Sequence, residues 1–482
     1  MSRTEKLALA TALFLGALFV ADHDAWTPDE PRVVALAKSI SRDSWVAPRL
    51  NGEPFLEQPP LHAWCVALAY RALGESVTVA RCVSVLFSLA TLAVTFLMGA
   101  RLANRDVGAL AAILLATSGL FFWGEHRVTT DPPLAFFVAV SAYASLRAFT
   151  TGSARERFLA LFCVYLGASL AYLSKGVVGI GLSGFAFLAV IAAQRAPRKI
   201  LQGHLWLAPL VFALVTGFYH YRLHEDLGLD ALKTVVWENT YKRSATDDSH
   251  AQNVAYYVWS FPLHFLPATL FLLAGLQLWL KRRRTLDERE RLAWEFPLIW
   301  LGLGLLGLSC ASSKREIYVL SLLPAGALVG ALWLEKLPAF QRPLARILVG
   351  ALALLVVADL VAVPRIDKEK SLGPGVRDVV AHVPSDRVLY AINPDETTYG
   401  TFNFYADRGI APLPSRTGVK DVLELAKTEL LLHLEAEGEL YVVAVEKRKG
   451  DVIFHSLEDL APEVLAEEKA SRTLRLLRFR RR

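Results

Sequence analysis

Apolar residues along this chain gather in blocks rather than in the dispersed stripes of a soluble amphipathic fold. Windows at about 7–21, 77–100, 107–124, 132–149, 158–174, 176–195, 203–222, 254–280, 294–311, 316–334 and 344–363 are predominantly apolar. Each reads as a helix crossing a membrane, which takes about 20 apolar residues. The first follows Arg3 and Lys6 and is short enough for a signal peptide. No small-residue cleavage site follows it, so it reads as a retained span. Residues 22–76 begin too polar to span but hold two semi-apolar segments, 31–41 and 59–73. Both are expected as helices lying in the interface, because Pro31 suits a first helical turn and His62, Trp64 and Tyr70 suit headgroup depth. From 365 the pattern becomes that of a soluble domain. Alternating runs at 387–392, 439–445 and 472–479 predict strands, and 419–436 and 461–469 predict helices. The expected fold is mainly α, a polytopic helical membrane domain over 1–364 followed by a small soluble α/β domain over 365–482.

Composition agrees with this division. The chain has 482 residues, 54% hydrophobic and 20% charged, with a net charge of +6 and a mean hydropathy of +0.36. These values exclude a single soluble domain, a disordered chain and a disulfide-built module. The basic excess does not call for nucleic acid, because polytopic proteins accumulate Lys and Arg in their cytoplasmic loops. One alternating set of loops holds Arg3 and Lys6, Arg101 and Arg105, Arg147 to Arg157, Arg195 to Lys199, Lys281 to Arg291, and Lys336 to Arg346. That set is expected in the cytoplasm. The other comprises 22–76, 125–131, the Ser174–Gly176 corner, 223–253, the Ser312–Tyr318 corner and everything after Pro364, and is expected outside, in the periplasm of an inner-membrane protein. Cys65, Cys82, Cys163 and Cys310 lie in apolar stretches without zinc or redox spacing and read as small buried hydrophobes.

The external loops carry the candidate chemistry, since ionisable groups at membrane depth are costly and tend to be kept for a task. Asp29-Glu30 stands at a helix start, where a carboxylate is either a capping group or a general base. Glu57 precedes Pro59-Pro60, which present it rigidly. Asp131-Pro-Pro133 repeats that design, again with helix capping as the simpler reading. Lys175 sits between two apolar runs and reads as a snorkelling lysine or as a cation of a site. Lys314 and Arg315 with Tyr318 make a similar corner, and together these cations suit an anionic ligand such as phosphate. His250, with no HxH or CxxC partner, reads as a surface residue or a metal ligand.

A transferase on the outer face cannot use cytoplasmic nucleotide sugars, and neither a Walker loop nor a GxGxxG fingerprint is present. A polyprenyl-phosphate sugar fits instead. Its tail would lie among the spans, its phosphate would reach the cationic corner, and Lys and Arg would stabilise the charge that builds as phosphate departs. No nucleotide cofactor is expected. A transporter or lipid flippase would also have many spans, but would place its ionisable residues at the midplane of repeated halves. A catalytically inactive binding scaffold is a third reading.

Asp29-Glu-Pro-Arg32, Trp45-Val-Ala-Pro-Arg-Leu-Asn-Gly-Glu-Pro54 and Glu57-Gln-Pro-Pro-Leu-His-Ala-Trp64 resemble the first external loop of bacterial lipid-linked-sugar glycosyltransferases. That group includes the 4-amino-4-deoxy-L-arabinose transferases of lipid A and the dolichyl-phosphate-mannose protein mannosyltransferase-like enzymes. Asp131, Ser174-Lys-Gly-Val-Val-Gly179 and Ser313-Lys-Arg-Glu-Ile-Tyr-Val-Leu, with Leu323-Pro324, extend the resemblance over residues 5–335. It implies a GT-C fold and an inverting transferase acting on an envelope lipid or glycan, or, alternatively, on a protein hydroxyl. By the same resemblance Asp29 is the catalytic carboxylate, Asp131 a second essential acid and Arg32 a sugar-phosphate contact. Glu57 and His250 would hold a divalent, zinc-like ion, and Lys175, Lys314, Arg315 and Tyr318 would lie in or near the donor-phosphate pocket. The chain departs from the family pattern at Val33, Phe55 and Gln58, where tyrosine, tyrosine and lysine are expected, which removes two hydroxyls and one cation.

Overall fold

The computed structural model describes the chain except residues 19, 22, 44, 243–251, 338–340, 414–418, 447–454 and 482. The helices Val77–Leu102, Asp131–Thr150, Ala154–Lys175 and Glu288–Cys310 and the run Glu316–Glu335 are long and apolar enough to cross a membrane, five among the described residues. Three bent pairs raise that number to as many as eight. The remaining apolar windows hold the helices Arg3–Ala17, Val177–Ala193 and Gln341–Lys370. The protein is a multi-pass helical membrane protein, and apolar side chains such as Leu86, Leu97, Phe158, Leu214 and Leu306 stand exposed on its helices, as they do where lipid is the solvent. Cys82, Cys163 and Cys310, expected to be buried, are exposed on helices in the same way.

The bends correct the expectation of straight spans at three windows. Arg105–Ala116 and Gly119–Glu125 meet at 73°. At the break the Thr117 hydroxyl donates to the Ile113 carbonyl and the Ser118 hydroxyl to that of Leu115, local bonds that compete with helix continuation. Pro197–Gly203 and Leu207–Glu238 meet at 48°, and Tyr256–His264 and Ala268–Arg282 at 115°. In the last pair Pro267 brings no N–H to the ladder, so the helix restarts after it.

Two compact units form, and they do not follow chain order. The first comprises Met1–Val20, Leu56–Cys65 and Arg81–Val357; the second comprises Ala21–Phe55, Val66–Ala80 and Ala358–Arg482. Most of the first loop therefore packs with the carboxy-terminal region. The two loop helices expected from the sequence are present as Glu30–Arg42 and Leu61–Leu73. His62 and Tyr70 are buried within the protein.

The second unit is built on a sheet. Strands β1 (Arg49–Leu50) and β2 (Glu53–Pro54) form a small hairpin. A five-stranded sheet follows, from β3 (Leu389–Ile392), β4 (Ala411–Pro412), β5 (Glu439–Glu446), β6 (Glu463–Lys469) and β7 (Thr473–Arg480), in the order β4-β3-β5-β7-β6. β3 runs parallel to β4 and β5, while β7 is antiparallel to β5 and β6. Alternate residues serve opposite faces. Leu389, Ala391, Tyr441 and Val443 pack with Val376, Val379 and Phe402, whereas Tyr390, Ile392, Val442 and Ala444 pack with Ala426 and Leu430. The strand expected at 439–445 is present but does not alternate in burial, because the sheet is covered on both sides and Leu440 to Val445 are all buried.

The helix expected at 461–469 is instead the edge strand β6. Of its residues only Ala466 is fully buried, a single inward position that a helical pattern mimics over so short a stretch. Pairing with β7 through a tight connection supplies its hydrogen bonds, and its outward Glu and Lys residues guard the edge.

Candidate functional site

Each unit holds one constellation of the expected residues. In the first, Asp131 opens the helix Asp131–Thr150 and is followed by Pro132 and Pro133, which need no hydrogen-bond donor in a first turn. The preceding helix-start residue, Thr130, makes no side-chain cap. The antiparallel neighbour Ala154–Lys175 starts on a Ser153 cap and stops at Gly176, whose φ of 64° lets the chain reverse into Val177–Ala193. This stop puts Lys175 at the corner beside Asp131.

Lys175 Nζ donates to Asp131 Oδ1. The side chains are 17% and 7% exposed, so Lys175 is held in the protein rather than reaching out to water. Its ammonium also lies 4.4 Å from the centroid of the Tyr318 ring, a cation–π contact that gains strength with desolvation. Tyr318 belongs to the short helical turn Glu316–Leu322. Around that turn the Tyr257 hydroxyl donates to the Arg315 carbonyl at 3.2 Å, and the Tyr256 hydroxyl to Glu316 at 3.4 Å. Lys314 is 4% exposed and donates to the carbonyls of Ala311 at 2.6 Å and Gln252 at 3.0 Å. Two of its three protons therefore go to backbone carbonyls, one beside the corner and one 62 residues away in the chain. Asp131, Lys175 and Tyr318 are brought together, Lys314 and Arg315 flank Tyr318 along the chain, and Glu57 is half-buried in the same unit.

In the second unit Asp29 occupies the cap position of Glu30–Arg42 but makes no side-chain cap bond. Its carboxylate accepts from Arg32 Nη2 at 3.2 Å, while Arg32 Nη1 donates to Glu396. Glu30 makes the local turn bond instead: it is fully buried and accepts from the Trp26 N–H at 2.7 Å. The two adjacent acids thus differ, one closing a turn and the other paired with a guanidinium. Arg32 also lies 5.6 Å from the Phe55 ring centroid, so one of the departures from the family pattern, Phe for Tyr, touches this guanidinium. Helix Glu396–Tyr405 reaches Arg32 through Gly400, where a Cβ would stand 2.7 Å from the Arg32 backbone nitrogen and the Pro31 carbonyl. Sequence reasoning missed Glu396, for no local signal marks an acid 364 residues from its partner.

His250 lies outside the described residues. Among the described residues no group of three or more His, Cys, Asp or Glu side chains converges. Of the two expected ligands, Glu57 is the one the structure describes.

The comparisons with known proteins bear on this geometry. Superposition on the crystal structure of ArnT from Cupriavidus metallidurans bound to undecaprenyl phosphate gives a TM-score of 0.79 over 98% of this chain and 97% of that one, at 18% identity. The fold is the GT-C glycosyltransferase fold. The Archaeoglobus fulgidus oligosaccharyltransferase, in complex with Zn and sulfate, shares the fold more distantly, with a TM-score of 0.58 over 94% of this chain and 69% of that one at 13% identity. Residues 57–219 match the family model of the dolichyl-phosphate-mannose-protein mannosyltransferases. Similar sequences include an undecaprenyl phosphate-alpha-4-amino-4-deoxy-L-arabinose arabinosyl transferase of Pseudomonas paraeruginosa, 28% identical over 66% of this chain and 57% of that one. An uncharacterized protein of Aquifex aeolicus is 26% identical over 68% of this chain and 64% of its own. The GT-C chain described here thus spans under two thirds of the length of these relatives, and it is related in sequence to lipid-linked-sugar glycosyltransferases.

Proposed function

We propose that this protein is an inverting membrane glycosyltransferase that moves a sugar from a polyprenyl-phosphate donor to an envelope acceptor, a lipid A-like lipid or a glycan, on the outer face of the inner membrane. The Asp131–Lys175–Tyr318 cluster carries the reading. In such a transfer the acceptor oxygen forms a bond to the sugar's anomeric carbon as the bond from that carbon to the phosphate oxygen breaks. The electron pair leaves with the phosphate, which passes from a diester to a monoester and gains a negative charge. A preoriented lysine ammonium in a desolvated corner stabilises that gain more than it stabilises the starting diester, which is what acceleration requires. Arg315 and Lys314 add positive potential at the same corner. Asp29, held by Arg32, would accept the proton of an acceptor hydroxyl; an acceptor phosphate is already anionic, and there Asp29 would orient it.

The related arabinosyl transferases and the undecaprenyl-phosphate-bound neighbour support the donor class. The alternating Lys/Arg content of the loops supports an outward-facing first loop and carboxy-terminal domain. The mannosyltransferase family match over 57–219 favours a second reading, transfer to a protein hydroxyl. Mass spectrometry of envelope lipids, glycans and glycoproteins from cells with and without the protein separates the two. A sugar lost from lipid or glycan is the expected result, a sugar lost from protein establishes the second reading, and unchanged envelopes together with no transfer from any polyprenyl-phosphate sugar in membranes would reject both.

We further propose that Glu57 and His250 hold a divalent ion beside the site, with no chemical step assigned to it. Metal analysis of the purified chain should find an ion that His250→Ala loses, and equal content in both would remove it.

A further inference from the structure

A second polar site lies in the first unit, far from Lys175. Arg195 and Lys175 stand at opposite ends of Val177–Ala193, whose 17 residues extend roughly 25 Å at about 1.5 Å each, close to the thickness of a bilayer's hydrocarbon core. At the Arg195 end is a groove of about 780 Å³, lined by Arg195, Arg283, Arg284 and Arg291 with Glu295, Trp279 and an aliphatic wall. The end of Val177–Ala193, the last turn of Ala268–Arg282 and the start of Glu288–Cys310 meet there.

Four guanidiniums face one carboxylate in this lining, and the ion pairs are loose. Glu295 stands 3.7 Å from Arg195, and Glu288, outside the lining, stands 3.9 Å from Arg291. Arg195, Arg283 and Arg284 are exposed, so their guanidiniums are open to a ligand at the groove, while Arg291 is largely buried beneath them. Arg283 packs 5.7 Å from the Trp279 ring centroid. Arg195 itself holds a φ of 51°, a left-handed conformation that Gly or Asn adopts at lower cost, so its presence there suits a task for the guanidinium. A rim of exposed guanidiniums and an aliphatic wall at the end of a spanning helix match an amphiphile whose polar end is a phosphate.

We propose that this groove binds the phosphate-bearing head group of an anionic phospholipid, with Arg195, Arg283 and Arg284 meeting the phosphate oxygens and the aliphatic wall taking the glycerol and first methylenes. The full chain in nanodiscs of phosphatidylcholine, with and without phosphatidylglycerol, provides the test by native mass spectrometry. Wild-type protein is expected to retain one phosphatidylglycerol. Arg283→Gln/Arg284→Gln should retain it roughly thirtyfold more weakly and Arg195→Asn about fivefold more weakly, from the usual worth of a basic residue near an anionic lipid. Arg195→Asn also suits the left-handed turn, so its folding is secure if the double variant fails to fold. Equal retention of phosphatidylglycerol by Arg195→Asn and wild type, or retention of phosphatidylcholine as strong as of phosphatidylglycerol, would overturn the proposal. Millimolar inorganic phosphate should not displace the lipid, and displacement would show an inorganic anion site in its place.

Discussion

Lys175→Gln is expected to slow sugar transfer by about 10²- to 10³-fold, the usual cost of removing one preorganised group that meets charge developing in a transition state. The substitution also leaves the carboxylate of Asp131, 7% exposed, without its cation, and stripping one partner from a buried ion pair destabilises by about 3–5 kcal/mol. Inactivity of the single variant therefore does not separate chemistry from folding. Asp131→Asn/Lys175→Gln does, because a neutral pair of similar shape restores the packing without the charge. This double variant should fold with a thermal midpoint near wild type, bind donor with little change and still turn over about 10²- to 10³-fold more slowly, a loss in kcat rather than KM. Recovery of wild-type turnover in the double variant would reduce the pair to a structural brace. Tyr318 enters the same test: its ring lies under the ammonium, so Tyr318→Phe keeps the cation–π face and should retain activity that Tyr318→Leu loses.

Asp29→Asn is expected to abolish detectable transfer in membranes while leaving the protein folded. Folding survives because Arg32 keeps Glu396 as a partner and the amide oxygen introduced by the substitution still accepts from the guanidinium. The chemistry does not survive, since an amide neither takes a proton nor matches a carboxylate in orienting an acceptor, and loss of a general base costs about 10²- to 10⁴-fold. Wild-type turnover by Asp29→Asn would remove this residue from the mechanism.

Most of what was legible in the chain is local. The apolar windows all contain helices, because twenty contiguous apolar residues leave a backbone in lipid few other ways to satisfy its N–H and C=O groups. The helices Glu30–Arg42 and Leu61–Leu73 and the strands β3, β5 and β7 follow from periodicity, which is again a property of neighbouring residues. Asp29, Asp131 and Lys175 were legible as candidates because charge beside long apolar runs is conspicuous. Their alternatives were not separable on spacing: a capping aspartate and a site aspartate look alike until Glu30, not Asp29, is found bonded to the turn. The bends at residues 117–118 and 267 were hidden inside uniformly apolar windows, and β6 was misread because its single buried position suits either period.

By itself, then, the sequence determined that this is a multi-pass helical protein with a carboxy-terminal α/β portion and a set of conspicuous acids and bases at particular corners, since hydrophobic blocks, helix starts and strand alternation are properties of adjacent residues. Tertiary structure alone decided the partnerships: Lys175 with Asp131 and Tyr318, Arg32 with Glu396, the packing of the first loop with the carboxy-terminal sheet, and the meeting of Arg195 with Arg283, Arg284 and Arg291. Those depend on side chains brought together across tens to hundreds of residues by packing, and no local pattern records which distant charge will complete an ion pair.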